Sequence, residues 1–425
     1  METSESLLRH IHKHVAELSG REISNIIWSL GQLRLNFQEI VRPAATEVCS
    51  SPELDDDWQE QEQEFYATLE AALCARIRDR ASSMSAYDLE STLNGLAHTA
   101  IGKSQLLTVL PELTPYLLIR LTDKAVNSFF FVHVVSSLSL MPVRFASSAD
   151  HNHMHLNATL EAALVEHAVQ KFHAFNGRQF PTLLMSLSRL GLTAGRLTAF
   201  QRGRMTAVMS RVLMSLDAEG VVASLLALQR MGFTWQDHFV LPTQSQSNSP
   251  STTEALGGRV LAYVRSNIGS FREVDMSWLL FALGRLGLDW GSVDEAFERK
   301  VSNRLGKVAR FLPLARAALA VRGLELMKVE AWDQLSVNAT QALDVALPVV
   351  ASGHDKKDNM DLSVLLASLK ALKYANFSTL LSSAGLSSDI IIIESVDPPV
   401  LASHTTAVTD AHMEGLLKKY TIQST

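Results

Sequence analysis

One pattern recurs eight times along the 425 residues and limits the fold more than any other feature of the chain. Its clearest copies are REISNIIWSLGQLRL (21–35), GRQFPTLLMSLSRLGL (177–192), AEGVVASLLALQRMGF (218–233), REVDMSWLLFALGRLGL (272–288) and NMDLSVLLASLKALKY (359–374). Weaker copies are YDLESTLNGLAHTAI (87–101), NSFFFVHVVSSLSLMPV (127–143) and FLPLARAALAVRGL (311–324). The copies align on Leu30, Leu96, Leu138, Leu187, Leu228, Leu283, Leu319 and Leu369. A small residue always precedes this anchor, and an apolar residue always stands seven before it. Six copies carry Leu or Met three after it; Thr99 and Arg322 are the exceptions.

Apolar positions at −7, −4, −3, 0 and +3 from the anchor lie on one face of an α-helix. A strand would alternate with a period of two, and these segments do not. The small residue at −1 lets a second helix approach closely. Glycine follows at +4 in four copies, as Gly191, Gly232, Gly287 and Gly323, where a left-handed C-terminal cap suits it. Each copy is therefore predicted to be a helix of about 14 residues ending at Leu-Gly or its equivalent.

The anchors are spaced 66, 42, 49, 41, 55, 36 and 50 residues apart, and even the shortest interval leaves room for a second helix and two turns. Second helices are expected at 64–80, 104–121, 158–175, 196–216, 253–268, 293–309, 333–349 and 408–420. A helix pair with one apolar face cannot bury itself alone, but stacked pairs can, so the predicted fold is an all-α solenoid of about eight helical hairpins with irregular inserts. The expected organisation is an N-terminal helical repeat (1–50), an acidic insert (51–64), repeats over 65–240, a polar loop (241–252), repeats over 253–376 and a C-terminal tail with a short helix (377–425).

The strong copies, IIWSLGQLRL, LLMSLSRLGL and LLFALGRLGL, resemble the octotricopeptide and heptatricopeptide repeat proteins, whose helices have the form LaxxLwaLaklG in repeats of about 37 or 38 residues. The FASTK and RAP-containing proteins are similar. The resemblance covers most of Arg21–Tyr374. The tryptophan-bearing neighbouring helix of that family is not recognisable here, the spacing is too variable for one repeat per base, and no C-terminal RAP domain is evident. The resemblance implies a mitochondrial or plastid protein that acts on organellar RNA, as a transcript factor or as a ribosomal component holding rRNA.

Two after the anchor stand Arg189, Arg230 and Arg285 in three consecutive copies, with Arg322 and Lys370 one position away in later copies. If equivalent helices stack side by side, these cations form a line that can track a phosphate backbone, since the guanidinium fork donates two parallel hydrogen bonds. The same residues also suit the negative end of a helix dipole without any ligand. Either role fits the spacing.

Net charge is −6, and Ser51–Glu70 alone carries eight acidic and no basic residues, so the remaining residues stand at +2. That bulk gives no electrostatic case for strong non-specific nucleic-acid binding. RNA on one edge and proteins elsewhere is the expected partnership; a protein scaffold without RNA contact is the alternative. No apolar run is long enough for a membrane span, which needs about 20 residues. The two cysteines, Cys49 and Cys74, cannot form a disulfide framework or a cysteine-only zinc site.

Catalytic motifs are missing, and no cofactor is expected. Gly102-Lys103-Ser104 lacks the earlier glycine of a phosphate loop, because position 97 is Ala97. His151, His153 and His155 have no second cluster to complete a metal site, and His10 and His14 lack the glutamate of a zinc-protease helix.

Overall fold

The computed structural model describes residues 2–33, 56–99, 101–123, 127–145, 154–171, 174–239, 255–352, 359–374 and 376–383, together with His412. They form seventeen α-helices and one two-residue parallel strand pair, Val143–Arg144 with Met154–His155. Two compact units are present. The first holds residues up to Ala174 with Arg189–Leu192, and the second holds Phe175–Ser188 with the residues from Thr193 onward.

In unit 1, α1 (Glu2–His14), α2 (Gly20–Gln32), α3 (Asp56–Arg80), α4 (Ala86–His98), α5 (Lys103–Thr122), α6 (Ser128–Leu140) and α7 (Ala158–Lys171) follow in order. The pattern-bearing helices α2, α4 and α6 pack in sequence as one layer, and α1, α3, α5 and α7 pack in sequence as another. Unit 2 repeats this plan. Its helices are α8 (Gln179–Arg189), α9 (Ala199–Val212), α10 (Ala218–Arg230), α11 (Leu256–Asn267), α12 (Glu273–Leu286), α13 (Glu295–Val308), α14 (Leu314–Leu326), α15 (Val337–Ser352), α16 (Asn359–Ala371) and α17 (Phe377–Ser383). Helices α10, α12, α14 and α16 stack consecutively, as do α9, α11, α13, α15 and α17. Each unit is thus an all-α helical-repeat stack of the solenoid type.

Most expected second helices lie where the sequence puts them. The first differs: α3 starts at Asp56, so the acidic insert is partly helical. Several second helices end in a 3-10 turn, as at Ala81–Ser83, Leu213–Ser215 and Ala309–Phe311. The expected loop at 241–252 and most of the expected helix 408–420 lie outside the described residues.

The pattern helices start and stop at fixed points. Eleven residues before the anchor, Ser19, Ser85, Asn127 and Asp217 are N-caps whose side-chain oxygens accept from Glu22, Asp88, Phe130 and Gly220 N–H. At the other end, the N–H groups of Phe233, Leu288 and Tyr374 donate to the carbonyls of Leu228, Leu283 and Leu369, each at 3.0 Å. This is the six-to-one bond of a Schellman cap. In the seventh copy Val329 N–H donates to Leu324 at 3.2 Å, and Pro313 is the N-cap.

The structural anchor of that copy is therefore Leu324, five residues after Leu319. Its flanking intervals become 41 and 45, closer to the rest. Gly323 is then the small residue at −1 and not a C-cap.

Close helix approach is visible at that position. A Cβ on Gly323 would lie 2.4 Å from the Leu280 carbonyl carbon, and one on Gly95 would lie 2.5 Å from that of Ile27. Ile27 and Leu280 both stand at −3 in the preceding copy. Gly31 and Gly284, at +1, meet Gly95 and Gly323 backbone in turn. Ser24 Oγ donates to Asp88 O at 2.9 Å across the same α2–α4 contact.

Gly323→Ala forces backbone apart in α12 and α14. It is expected to destabilise unit 2 by about 1–3 kcal/mol in urea unfolding, despite the higher helix propensity of alanine. Gly203→Ala in α9, where nothing lies within 4 Å of the added carbon, is expected to stabilise by up to about 1 kcal/mol. Equal stability of the two variants would contradict the close crossing.

Candidate nucleic-acid interface

The C-terminal ends of the pattern helices are built by one device. After the last helical turn, a residue at +4 takes positive φ: Gly191 (91°) in unit 1, and Gly232 (81°), Gly287 (84°), Lys328 (61°) and Lys373 (55°) in unit 2. The residue at +5 then turns inward, and Phe233, Leu288, Val329 and Tyr374 are buried. A little further on, the chain bonds to the next turn. Ala194 N–H donates to Met231 O at 2.6 Å, Trp290 to Met327 at 2.8 Å and Trp332 to Leu372 at 3.0 Å. In unit 1, Phe145 N–H does the same with Leu190 O at 2.7 Å. The edge is thus a row of turns cross-linked through backbone.

The five cations expected here differ in burial and in partners, and Arg189 belongs to unit 1 while the other four belong to unit 2. Arg189 is 7 % exposed, and its Nε donates to Ser139 O at 3.2 Å within unit 1. Its guanidinium is committed to the protein interior and stands outside the exposed cation row. Arg230 is half-buried in the last turn of α10.

Arg285, in the last turn of α12, is exposed and makes no ion pair among the described residues. Crowding around its guanidinium and the neighbouring Arg322 charge both lower its pKa from the ordinary arginine value. Arg322 is half-buried and paired with Glu325. The register correction explains the pairing, because Arg322 stands two before its anchor and not at the helix end. Lys370 is exposed in the last turn of α16.

Two cations at this edge were not among those expected. Lys328 and Lys373 occupy the left-handed cap position where earlier copies have glycine, and both are exposed. A side chain in that conformation costs about 1–2 kcal/mol relative to the right-handed region. Lys328 Nζ lies 3.3 Å from Asp289 Oδ2, a solvent-exposed pair that contributes little. The sequence signal was the apolar residue right after each lysine, in Lys328-Val329 and Lys373-Tyr374, which matches Gly232-Phe233 and Gly287-Leu288.

The opposite, N-terminal edge of the same layer is acidic. Arg272 there bridges Glu219 (3.2 Å) on α10 and Asp275 (3.1 Å) on α12. Acid in the first turn and base in the last follow the dipole in α10, α12 and α16, while α14 has neither. Arg285, Lys328, Lys370 and Lys373 are exposed cations at the C-terminal edge of unit 2, where Asp289 and Glu325 are the carboxylates paired with Lys328 and Arg322.

The rejected motifs remain unsupported as sites. Gly102 N–H at the start of α5 is taken by Glu70 Oε1 at 2.6 Å, so the helix end already holds a carboxylate of the chain. Burial raises the Glu70 pKa, and the Gly102 hydrogen bond opposes that shift. Burial, with the Glu70 charge, pushes the Cys74 thiol up to about 12. His151 and His153 lie outside the described residues, while His155 faces Phe145 O at 3.3 Å. No cluster of metal-ligating side chains occurs among the described residues. No described helix is long and apolar enough to cross a membrane. Compared with protein-family models and with characterised proteins, the chain matches none.

Lys373→Gly is expected to be neutral or stabilising by up to about 1 kcal/mol, since it removes the left-handed strain but adds unfolded-chain entropy. Lys373→Ala keeps the strain and is expected not to stabilise. Thermal unfolding of the pair checks this. A more stable alanine variant would show that Lys373 itself, and not its backbone conformation, limits stability.

Proposed function

We propose that this chain is a non-catalytic, organellar RNA-associated helical-repeat protein: a structural component of a mitochondrial ribosome or a factor that stabilises ribosomal RNA. The observation that carries the reading is the basic edge of unit 2. Arg285 is exposed there without a carboxylate partner among the described residues, and Lys328, Lys370 and Lys373 are exposed at the ends of the next two pattern helices. Lysine stands at two positions that strain the backbone, which points to a use for the charge beyond folding. The likeness of the repeats to octotricopeptide-type proteins supports RNA as the anion. The location follows from that likeness, mitochondrial in the first instance and plastid as the alternative. Other surfaces of the repeat stack are available to proteins of the same particle.

A second reading is a protein scaffold without RNA contact. It is favoured by large apolar side chains exposed on unit 2, among them Phe200 (71 %), Val345 (73 %), Val337 (68 %) and Phe311 (59 %).

Crosslinking in native extract followed by RNA sequencing separates the two. Discrete organellar rRNA segments that co-sediment with a ribosomal particle are expected. Stable co-purified proteins with no RNA above background would leave the scaffold reading. In purified form, the triple variant Arg285→Glu, Lys328→Glu, Lys373→Glu is expected to weaken rRNA binding at least tenfold with the helical circular dichroism unchanged. On single strands, the slope of log K against log salt should fall by about 0.7 for each phosphate that the variant no longer neutralises.

A further inference from the structure

Trp278 on α12 is fully buried, yet the repeat does not call for it. The same −5 position holds Thr182, Ala223, Leu319 and Val364 in the other copies of unit 2. Its indole lies against two groups from elsewhere. The His412 imidazole stacks on it with ring centroids 4.4 Å apart and planes 13° from parallel. The Arg316 guanidinium on α14 stands over it, 5.1 Å from the centroid. The Asp361 charge on α16 acts on Arg316 and favours the cation that burial disfavours. Trp278 Nε1 is buried and has no hydrogen-bond partner.

Three successive pattern helices therefore supply an aromatic face, a planar donor and a carboxylate. An indole N–H remains unsatisfied beside them. Those are the groups by which proteins hold one unstacked base: a ring to stack on, a guanidinium beside it, and edge donors and acceptors. His412 fills the place with a flat, nitrogen-bearing ring of its own.

We propose that Trp278, with Arg316 and Asp361, is a stacking site for one base of single-stranded RNA, and that His412 occupies it when no RNA is bound. The inference rests on the RNA reading above. His412 then competes with RNA for the indole face, and RNA binding requires its imidazole to leave.

Acid favours that exchange. Burial, and then the Arg316 charge, lower the His412 pKa from 6.5 to about 3. Docked His412 is therefore neutral, and Arg316 is the charged group that acts on it, while the Asp361 charge acts on Arg316 in turn. A histidine with a depressed pKa keeps its full docking above the undocked value near 6.5. It loses about tenfold in docking constant for each pH unit below that, until the docked pKa is reached.

The test is anisotropy of a fluorescein-labelled, mixed-sequence 12-nucleotide RNA with the full chain at fixed salt. His412→Ala is expected to tighten binding at least fivefold. Trp278→Leu in that background should remove the gain, and Trp278→Phe should keep most of it, with unfolding curves confirming that each variant is folded. Wild type should also tighten between pH 7.5 and 6 by more than His412→Ala does. If His412→Ala binds like wild type, or if Trp278→Leu leaves its gain intact, the stacking site is wrong even where the Arg285 edge still binds RNA. If neither wild type nor any variant binds RNA at low salt, the RNA reading fails and takes this proposal with it.

Discussion

The contact on which the rest depends is between two backbones. Where the residue at −1 is glycine, its Cα sits against the carbonyl of the residue at −3 in the preceding copy. Gly95 does so on Ile27, and Gly323 on Leu280. At that distance no side chain intervenes, so both the spacing and the axial register of neighbouring helices are fixed. Size and not polarity is the requirement. The −1 serines Ser137 and Ser368 have buried hydroxyls with no hydrogen-bond partner, a cost of about 1–3 kcal/mol each that the packing must exceed. Once register is fixed, the N-cap falls eleven residues before the anchor and the Schellman turn follows it.

Those turns convert a packing rule into a surface. Each ends a helix with carbonyls that have no intrahelical partner, and several are bonded through backbone to the next, as Trp290 is to Met327. The row of helix C-termini is negative by its dipoles, and cations there lower the field. That accounts for Arg230, Arg285 and Lys370 in the last turns of α10, α12 and α16. It does not account for Lys328 and Lys373, whose backbone conformation glycine would adopt without strain and whose charge sits beyond the last helical residue. The excess of cation over what the dipoles need is the physical content of the anion-binding reading.

Much of the fold was legible because the apolar face repeats: positions −7, 0 and +3 are core in nearly every copy, and two layers follow. The register of the seventh copy was not. FLPLARAALAVRGL offers two leucines, Leu319 and Leu324, each preceded by a small residue, and an apolar face alone cannot choose between phases five residues apart. The N-cap decides, since Pro313 can start a helix there and Val308 lies inside α13. That slip moved Arg322 from a helix end to a position beside Glu325. Arg189 had the right phase, but burial of its guanidinium depends on what packs on the end of its helix, which periodicity does not encode. The partner of Trp278 was illegible for a related reason. Its contact with His412 joins segments far apart in sequence that share no repeat.

Because the repeat is held by main-chain contacts, caps and aliphatic faces, its chemistry-bearing residues are recognised by subtraction. A leucine at 0 or a glycine at −1 says only that the copy folds. An arginine at −8 and a tryptophan at −5, as at Arg316 and Trp278, satisfy no demand of the stack, and neither does a lysine at a left-handed turn. Retaining them costs desolvation at Arg316 and strain at Lys328 and Lys373, while glycine or an aliphatic residue would fold as well. In unit 2 these exceptions collect on α12, α14 and α16 and the turns that follow two of them. That concentration falls on helices in direct sequence, and it is the ground on which the proposed binding surface rests.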